Sequence, residues 1–287
     1  MAVGTTIWTW FDNEWVDGNP AVMRAADHGT WLGTLVFDGA RAHQGKVPDL
    51  DRHCARVNAS AIALGLNPTL GADEMQQLVH EGLAKFSAGA SVYIRPMYWS
   101  ASHGDSVIVA DPDSTVFCLC LEELGMPPAT AAQTLAVSSF VRPLLTMATV
   151  NAKAACLYPN NARMIREAHS KGFTNALVTD ALGNVAETAS ANIFMVRDGV
   201  VMTPIPNGTF LNGVTRQRVI ELLRSDGQQV LESVLSVEDF LHADEVFMSG
   251  NITKITPVTA IEASQYPHGP VTQRARALYW EWAGFTD

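Results

Sequence analysis

The sequence predicts an α/β (α+β) protein of two domains: a small N-terminal one over residues 1–124 and a larger C-terminal one over 134–287, joined by a linker over 125–133. Three observations predict this. Strand-like alternation is interleaved with helical spacing on both sides of residue 125, the pattern of mixed helix and sheet layers. The stretch Gly125-Met-Pro-Pro-Ala-Thr-Ala-Ala-Gln133 carries paired prolines, which neither a helix interior nor an inner strand tolerates. With 287 residues and 47% hydrophobic content, the chain can bury a sizeable core in one or two domains. A cleft between two such domains is a common ligand site.

Taken in order, residues 1–32 read as short strands and turns. Residues 33–42 alternate apolar and small side chains as a strand does, and Gly45-Lys46 makes a turn before Pro48. A helix follows, with Asp49 or Asp51 as its cap and Leu50, Cys54, Val57, Ala61 and Leu64 at helical spacing, ended by Gly65. A second helix over 72–86 carries Met75, Leu78, Val79 and Leu83 on one face. Residues 91–99 and 106–121 then read as strands. Beyond the linker, 134–140 is a strand and 152–170 a helix punctuated near Pro159. Strands over 176–180, 185–187 and 193–196 are joined by the turns Ala181-Leu-Gly183 and Arg197-Asp-Gly199. A helix spans 214–223, and a shorter one starts after Ser236. No internal repeat or low-complexity tract interrupts this order.

The net charge of −10 argues against a nucleic-acid partner, which favours a basic face. It leaves room for an anionic ligand, because a phosphate needs only a few local donors. The start of the chain lacks a basic region followed by an apolar run, so no signal peptide is expected. No stretch approaches the roughly 18 apolar residues of a membrane helix. Cys54, Cys118, Cys120 and Cys156 show no metal-ligand spacing, no metal is expected, and Cys118-Leu-Cys120 reads as core. A reducing, cytoplasmic setting fits this cysteine usage.

Two residues point to chemistry. Lys153 lies in Thr149-Val-Asn-Ala-Lys-Ala-Ala-Cys-Leu-Tyr158, among small apolar residues where a lysine is a poor salt-bridge former and a good imine former. Glu187 closes a strand after a turn, where a carboxylate can hold a proton on a heterocyclic nitrogen. Pyridoxal 5'-phosphate (PLP) needs both: an amine for its aldehyde and, in many enzymes, an acid facing its ring nitrogen.

The words around these residues resemble those of class IV aminotransferases, the group that holds branched-chain and D-amino acid aminotransferases. They are Val36-Phe-Asp-Gly-Ala-Arg41, Leu50-Asp-Arg-His-Cys-Ala-Arg56, Tyr93-Ile-Arg-Pro96, the lysine and glutamate segments, Leu211-Asn-Gly-Val-Thr-Arg216, and Asp244-Glu-Val-Phe-Met-Ser-Gly250 with Ile255-Thr-Pro257. The resemblance runs from about Trp15 to about Arg276. It implies a two-domain PLP enzyme of fold type IV with the cofactor in the cleft, acting as a homodimer or larger homo-oligomer. It also implies transamination between a branched-chain-like or other hydrophobic amino acid and a 2-oxo acid, with 2-oxoglutarate as the expected acceptor.

Residue by residue, the resemblance makes Lys153 the Schiff-base lysine and proton shuttle, Glu187 the partner of the pyridine nitrogen and Tyr158 that of the phenolic oxygen. Gly213-Val214-Thr215 opens a helix whose free N–H groups and dipole favour an anion, and the Thr215 hydroxyl adds a donor. Gly250-Asn251 matches a second phosphate contact, with asparagine where threonine is expected. Arg56 matches the phosphate arginine, and Arg52, four residues earlier on nearly the same face, competes for that role. Toward substrate, Tyr93 and Arg95 share a strand face, where the arginine would bind a distal carboxylate bidentately. The turn amides of Asn251 and Ile252 would hold the α-carboxylate, and Phe37 would line the apolar side. Ser190 and Asn192 are candidates to steady Glu187.

The pattern breaks at Leu32 and Trp31, where branched-chain enzymes tend to carry a tyrosine, while Tyr98 and Trp99 add bulk nearby. An (R)-selective amine or D-amino acid transaminase of the same fold therefore stands as an alternative, as does an aminodeoxychorismate-type PLP lyase. The Trp-rich ends (Trp8, Trp10, Trp280, Trp282) are candidates for buried contacts.

Overall fold

A computed structural model describes residues 6–286 of the chain. The residues fall into two compact units. The first takes the described residues up to Met126 together with Asn151–Cys156; the second takes Pro127–Val150 and the described residues from Leu157 onward. The boundary after Met126 falls inside the linker expected over 125–133, whereas the Lys153 segment, expected in the C-terminal domain, clusters with the first unit. The buried Arg41 guanidinium donates to the carbonyls of Leu124 and Gly125 and to Met126 Sδ, drawing these residues into the first unit. Residues 151–156 join it through backbone bonds. Val36 bridges Ala154, the Phe37 N–H donates to the Lys153 carbonyl at 3.1 Å, and the Lys153 N–H donates to Ser60 Oγ at 3.1 Å.

In the first unit the order is β1 (Ile7–Phe11), β2 (Glu14–Asp17), α1 (His28–Trp31), β3 (Leu35–Phe37), β4 (Ala40–Ala42), α2 (Leu50–Ala63), α3 (Ala72–Leu83), β5 (Val92–Ser100) and β6 (Thr115–Glu123). Among the described residues the strands form a six-stranded sheet, β2-β1-β6-β5-β3, with β4 also paired to β5. Strand β5 shows the two-residue period plainly: Val92, Ile94 and Pro96 are buried while Tyr93, Arg95 and Met97 are half-buried. Helix α2 lays Leu50, Cys54, Val57 and Ala61 in one buried stripe, and each large apolar side chain so buried contributes about 1.5–3 kcal/mol.

In the second unit the order is β7 (Gln133–Val137), α4 (Tyr158–Ser170), β8 (Asn175–Thr179), β9 (Val185–Thr188), β10 (Asn192–Arg197), β11 (Val200–Pro204), α5 (Val214–Ser225), β12 (Val230–Ser233), α6 (Val237–Leu241), β13 (Glu245–Gly250), β14 (Lys254–Ile261), β15 (Ser264–Gln265) and α7 (Pro270–Ala283). The described strands make a nine-stranded sheet, β12-β11-β10-β13-β14-β7-β8-β9, with β15 beside β14. One face packs Leu135, Ile193, Val246 and Val258 around Phe240 of α6; another cluster joins Ala136, Ala176 and Val178 to Met164 and Ala168 of α4. The buried Glu245 carboxylate accepts from the N–H groups of Val271 and Thr272, seating the start of α7, where a negative charge is favoured by the helix dipole.

Several elements differ from expectation for local physical reasons. The strand expected over 33–42 is two strands, broken at Asp38-Gly39. The α-helix expected over 152–170 begins only at Tyr158, with Pro159 in its first turn, after a 3₁₀ helix over Ala155–Leu157, because Lys153 and Ala154 bond to Phe37, Val36 and Ser60 instead. The strand expected over 106–121 starts at Thr115. Before it, Asp111 accepts from the Asp113 N–H and Pro112 opens a single 3₁₀ turn, while Gly104 and Val109 close a loop that exposes Val107, Ile108 and Val109. Tyr98 and Trp99 are core residues: the Tyr98 hydroxyl meets Leu70 backbone, and Trp99 Nε1 donates to Asp27. At the Trp-rich ends only Trp280 is buried; Trp8 and Trp10 are half-buried and Trp282 is exposed. Among the described residues no helix is long and apolar enough to cross a membrane, and no cluster of His, Cys, Asp or Glu could hold a metal ion. All four cysteines are free, with Cys118 and Cys120 buried as expected of core.

Candidate active site

In the first unit, Lys153 lies between the buried Ala152 and Ala154, after a turn and just before the 3₁₀ helix Ala155–Leu157. Its Nζ lies 4.8 Å from the centroid of the Phe37 ring, within cation–π reach. Phe37 pairs with Met97 across β3 and β5, while Tyr93 pairs with Arg41 on β4. The two-residue period therefore puts Phe37, Tyr93 and Arg95 on one sheet face. Gly39 is required by close approach: a Cβ there would land on the Tyr93 hydroxyl. Within this unit the structure sets Lys153 against Phe37 and Arg95 against Tyr93, with Phe37, Tyr93 and Arg95 on one sheet face.

Arg95 is engaged. Its Nη2 donates to Glu122 Oε2 at 2.9 Å, Nη1 lies 4.0 Å from Cys120 Sγ, and its guanidinium carbon is 5.0 Å from the Tyr93 ring centroid. Sequence reading missed Glu122, because a pairing across two strands leaves no local signal.

Arg56 and Arg52 separate clearly. Arg56 makes a two-pronged pair with Asp38, Nε to Oδ2 at 2.6 Å and Nη2 to Oδ1 at 2.8 Å, while Arg52 reaches Asp49 at 3.6 Å at the start of α2. Asp38 is fully buried and also accepts from the Gly39 N–H at 2.6 Å, with His53 Nδ1 at 2.7 Å. Burial by itself pushes its carboxyl up; the charges and hydrogen bonds of Arg56, then His53, overcome this and hold it well below the usual carboxylate range. The Asp-Gly break in the strand therefore places a permanent anion under Arg56. Trp31 and Leu32, where the family pattern breaks, are both exposed in the described structure of this unit.

In the second unit, Glu187 on β9 is buried and receives Arg142 Nε at 3.2 Å from its Oε1. Arg142, itself buried, also donates from Nη1 to Asn161 Oδ1 at 2.7 Å and from Nε to the Thr209 carbonyl at 3.2 Å. Asn161 lies one turn beyond Tyr158 on α4, so this single arginine links the strand carrying Glu187 to the helix carrying Tyr158. Tyr158 itself is 37% exposed at the helix start. The steadying expected of Ser190 and Asn192 goes elsewhere. Ser190 Oγ takes a bond from Asn175, and Asn192 donates to the Leu211 carbonyl while accepting from the Gly213 N–H.

That Asn192 bond seats the start of α5. Gly213 precedes the helix with no side-chain cap and no acidic residue in the first turn, and Val214 and Thr215 open it. Ser249, the cross-strand partner of Asn192, is buried with its hydroxyl lacking a hydrogen-bond partner. Just beyond, the turn Asn251-Ile252-Thr253 joins β13 to β14. Lys254 closes it in the left-handed region (φ 60°), fully buried, with Nζ donating to Asn251 Oδ1 at 2.9 Å. Arg216 is structural: its donors go inward to Pro204, Asn212 and Glu232.

Comparison with known proteins gives the chain's relatives. The sequence model of the family described as Amino-transferase class IV matches residues 35–261. A probable branched-chain-amino-acid aminotransferase of Rickettsia bellii (strain RML369-C) is 32% identical over 254 residues, 88% of this chain and 86% of that protein. The crystal structure of an aminotransferase from Brucella abortus bound to the cofactor PLP is 56% identical, with a TM-score of 0.96 over 97% of this chain and 99% of that one. The branched-chain aminotransferase of the thermophilic archaeon Thermoproteus uzoniensis, solved with norvaline, is 29% identical, with a TM-score of 0.89 over 97% and 95% of the two chains.

Proposed function

The chain belongs to the amino-transferase class IV family, and from that premise we propose how its residues divide the work of PLP-dependent transamination. When bound, the cofactor supplies an aldehyde that an amine can capture and a ring that accepts electrons from a substrate carbon. The donor chemistry suits such a group. An uncapped helix start without acids and an orphaned buried hydroxyl nearby are what a phosphate would satisfy.

Lys153 is assigned as the catalytic amine: it would be the residue that holds the cofactor's aldehyde and the base that would move a proton at the substrate Cα. The position of Lys153 between the buried Ala152 and Ala154, with its Nζ against the Phe37 ring, supports this. Glu187 would hold a proton on the ring nitrogen, and the guanidinium of Arg142 keeps its carboxylate in place. Tyr158 serves the ring oxygen. In the second unit Val214, Thr215, Gly250 and Asn251 would hold the phosphate; in the first, Arg56, oriented by Asp38, is the arginine assigned to it. Phe37, Tyr93 and Arg95 bound the substrate side chain, and the amides of Asn251 and Ile252 hold its α-carboxylate.

The substrates are a branched-chain-like or other hydrophobic amino acid and a 2-oxo acid, with 2-oxoglutarate the acceptor that Arg95 suits. The active form is a homodimer or larger homo-oligomer working in the cytoplasm. The observation that carries the reading is the placement of Lys153 on the sheet face of Phe37, Tyr93 and Arg95.

The test is a half-reaction screen. Holoenzyme is mixed with single amino acids and amines of both configurations, and the visible absorption of the bound cofactor is followed. A hydrophobic amino acid should bleach it, 2-oxoglutarate should restore it, and Lys153→Ala should respond to none. Conversion of an amino acid by that variant at the wild-type rate would overturn the assignment, and pyruvate release without any oxo acid would point to a lyase.

A further inference from the structure

We propose that Glu122 is a specificity-determining residue: it occupies the guanidinium of Arg95, so a substrate carrying a second carboxylate must compete with a carboxylate already in place. The inference rests on the reading of Arg95 as substrate-facing and deepens it. Glu122 lies opposite Tyr93 in the antiparallel pairing of β5 and β6, and Arg95 lies opposite Cys120. Glu122 is therefore diagonal to Arg95 on the same sheet face, within reach of two long side chains. The 2.9 Å contact is well sheltered, with the glutamate side chain 12% and the arginine side chain 28% exposed. Tyr93 packs beside the guanidinium, and the remaining nearby acceptor, Cys120 sulfur at 4.0 Å, is weak.

The charges decide what this pocket wall favours. Arg95 alone would offer an unbalanced positive charge, attractive to a dicarboxylate and a poor neighbour for an aliphatic side chain. Paired with Glu122, the Arg95 guanidinium carries its own countercharge. A hydrophobic side chain then meets no uncompensated charge. A dicarboxylate must either displace Glu122 from Nη2 or bind at Nη1 beside a second anion, and both routes weaken it relative to a bare guanidinium. Selection between neutral and dicarboxylic 2-oxo acids is thus set by the Glu122–Arg95 pair rather than by Arg95 alone.

The experiment compares kcat/KM for 2-oxoglutarate with that for pyruvate, using one amino donor and holoenzyme. Glu122→Gln should raise the 2-oxoglutarate-to-pyruvate ratio about tenfold, chiefly through KM, a change equivalent to roughly 1.4 kcal/mol. Glu122→Asp, which keeps the charge and draws it back by one methylene, should fall between the two. Calorimetric titration with glutarate should show tighter binding to Glu122→Gln than to wild type, independently of turnover. Arg95→Met serves as the separate check. If Arg95→Met lowers the ratio while Glu122→Gln leaves both ratio and glutarate affinity unchanged, the role of Glu122 is overturned and that of Arg95 stands. If Arg95→Met leaves the ratio at its wild-type value, the substrate-facing reading of Arg95 fails, and this inference fails with it.

Discussion

Replacing Asp38 by Asn should destabilise the first unit and do so in a pH-dependent way. The carboxylate is fully buried and accepts two bonds from Arg56, at 2.6 and 2.8 Å, with His53 Nδ1 2.7 Å away. An amide can keep its oxygen toward Gly39 and His53, but its NH₂ then meets the guanidinium donor to donor. One or two charge-assisted hydrogen bonds are lost, each worth about 1.5–3 kcal/mol, and a buried cation loses its partner. The Arg56 side chain retains 20% exposure, so water recovers part of this, and a net loss of about 3 kcal/mol is expected. At about 2–4 °C per kcal/mol, the midpoint for the first unit should fall by roughly 6–12 °C at pH 7.

The sign of the pH dependence follows from the depressed folded-state pKa of Asp38. Its contribution is present above the unfolded value of about 3.9 and is lost as pH falls below that toward the folded value. Calorimetry of wild type and Asp38→Asn from pH 7 downward measures it: the gap between them should be constant above about pH 5 and narrow below about pH 4. A gap that stays constant to the lowest pH, or one within about 0.5 kcal/mol at pH 7, would refute the reasoning.

Two further outcomes are expected. Gly39→Ala puts a methyl on the Tyr93 hydroxyl; overpacking should cost about 1–3 kcal/mol in denaturant unfolding, and the double variant with Tyr93→Phe should recover part of it. Arg142→Gln removes the guanidinium from the buried Glu187 and should destabilise the second unit by about 3 kcal/mol while altering the pH dependence of the cofactor's absorption; Arg142→Lys should restore part of both. An unchanged spectral pH profile in Arg142→Gln would show that Arg142 does not act on Glu187.

Much of this was legible from residue order. The stripe of α2, the turn chemistry at Gly183 and Gly199, and the start of α5 at Val214 all follow from local spacing, and the structure has them there. Boundaries failed where non-local bonds overrode periodicity. Residues 152–157 carry a helix-like pattern, yet bonds to β3 and Ser60 keep Lys153 and Ala154 out of the helix, and only Ala155–Leu157 turn, as a 3₁₀ helix ahead of α4. Tyr98 and Trp99 looked like bulk beside the Tyr-Ile-Arg-Pro motif; the register of β5 turns both into the core.

Sequence by itself determined which side chains are available for chemistry: an amine flanked by alanines, a glutamate at a strand end, a helix start without acids, and a Tyr-x-Arg pair on one strand face. These are local properties, written in residue type and in periods of two or 3.6. Tertiary structure decided how those side chains are charged and held. It set Asp38 under Arg56, Arg142 against Glu187, Lys254 behind Asn251, and Glu122 on Arg95. The Arg142 and Glu122 pairs join residues far apart in the chain, brought together by strand register or a returning segment. The Asp38–Arg56 pair spans eighteen residues and depends on a strand break, while the Lys254–Asn251 pair is local but depends on a left-handed turn residue. Neither kind leaves a periodic trace, because hydrogen-bond and ion-pair geometry depends on where backbones meet rather than on what precedes each residue.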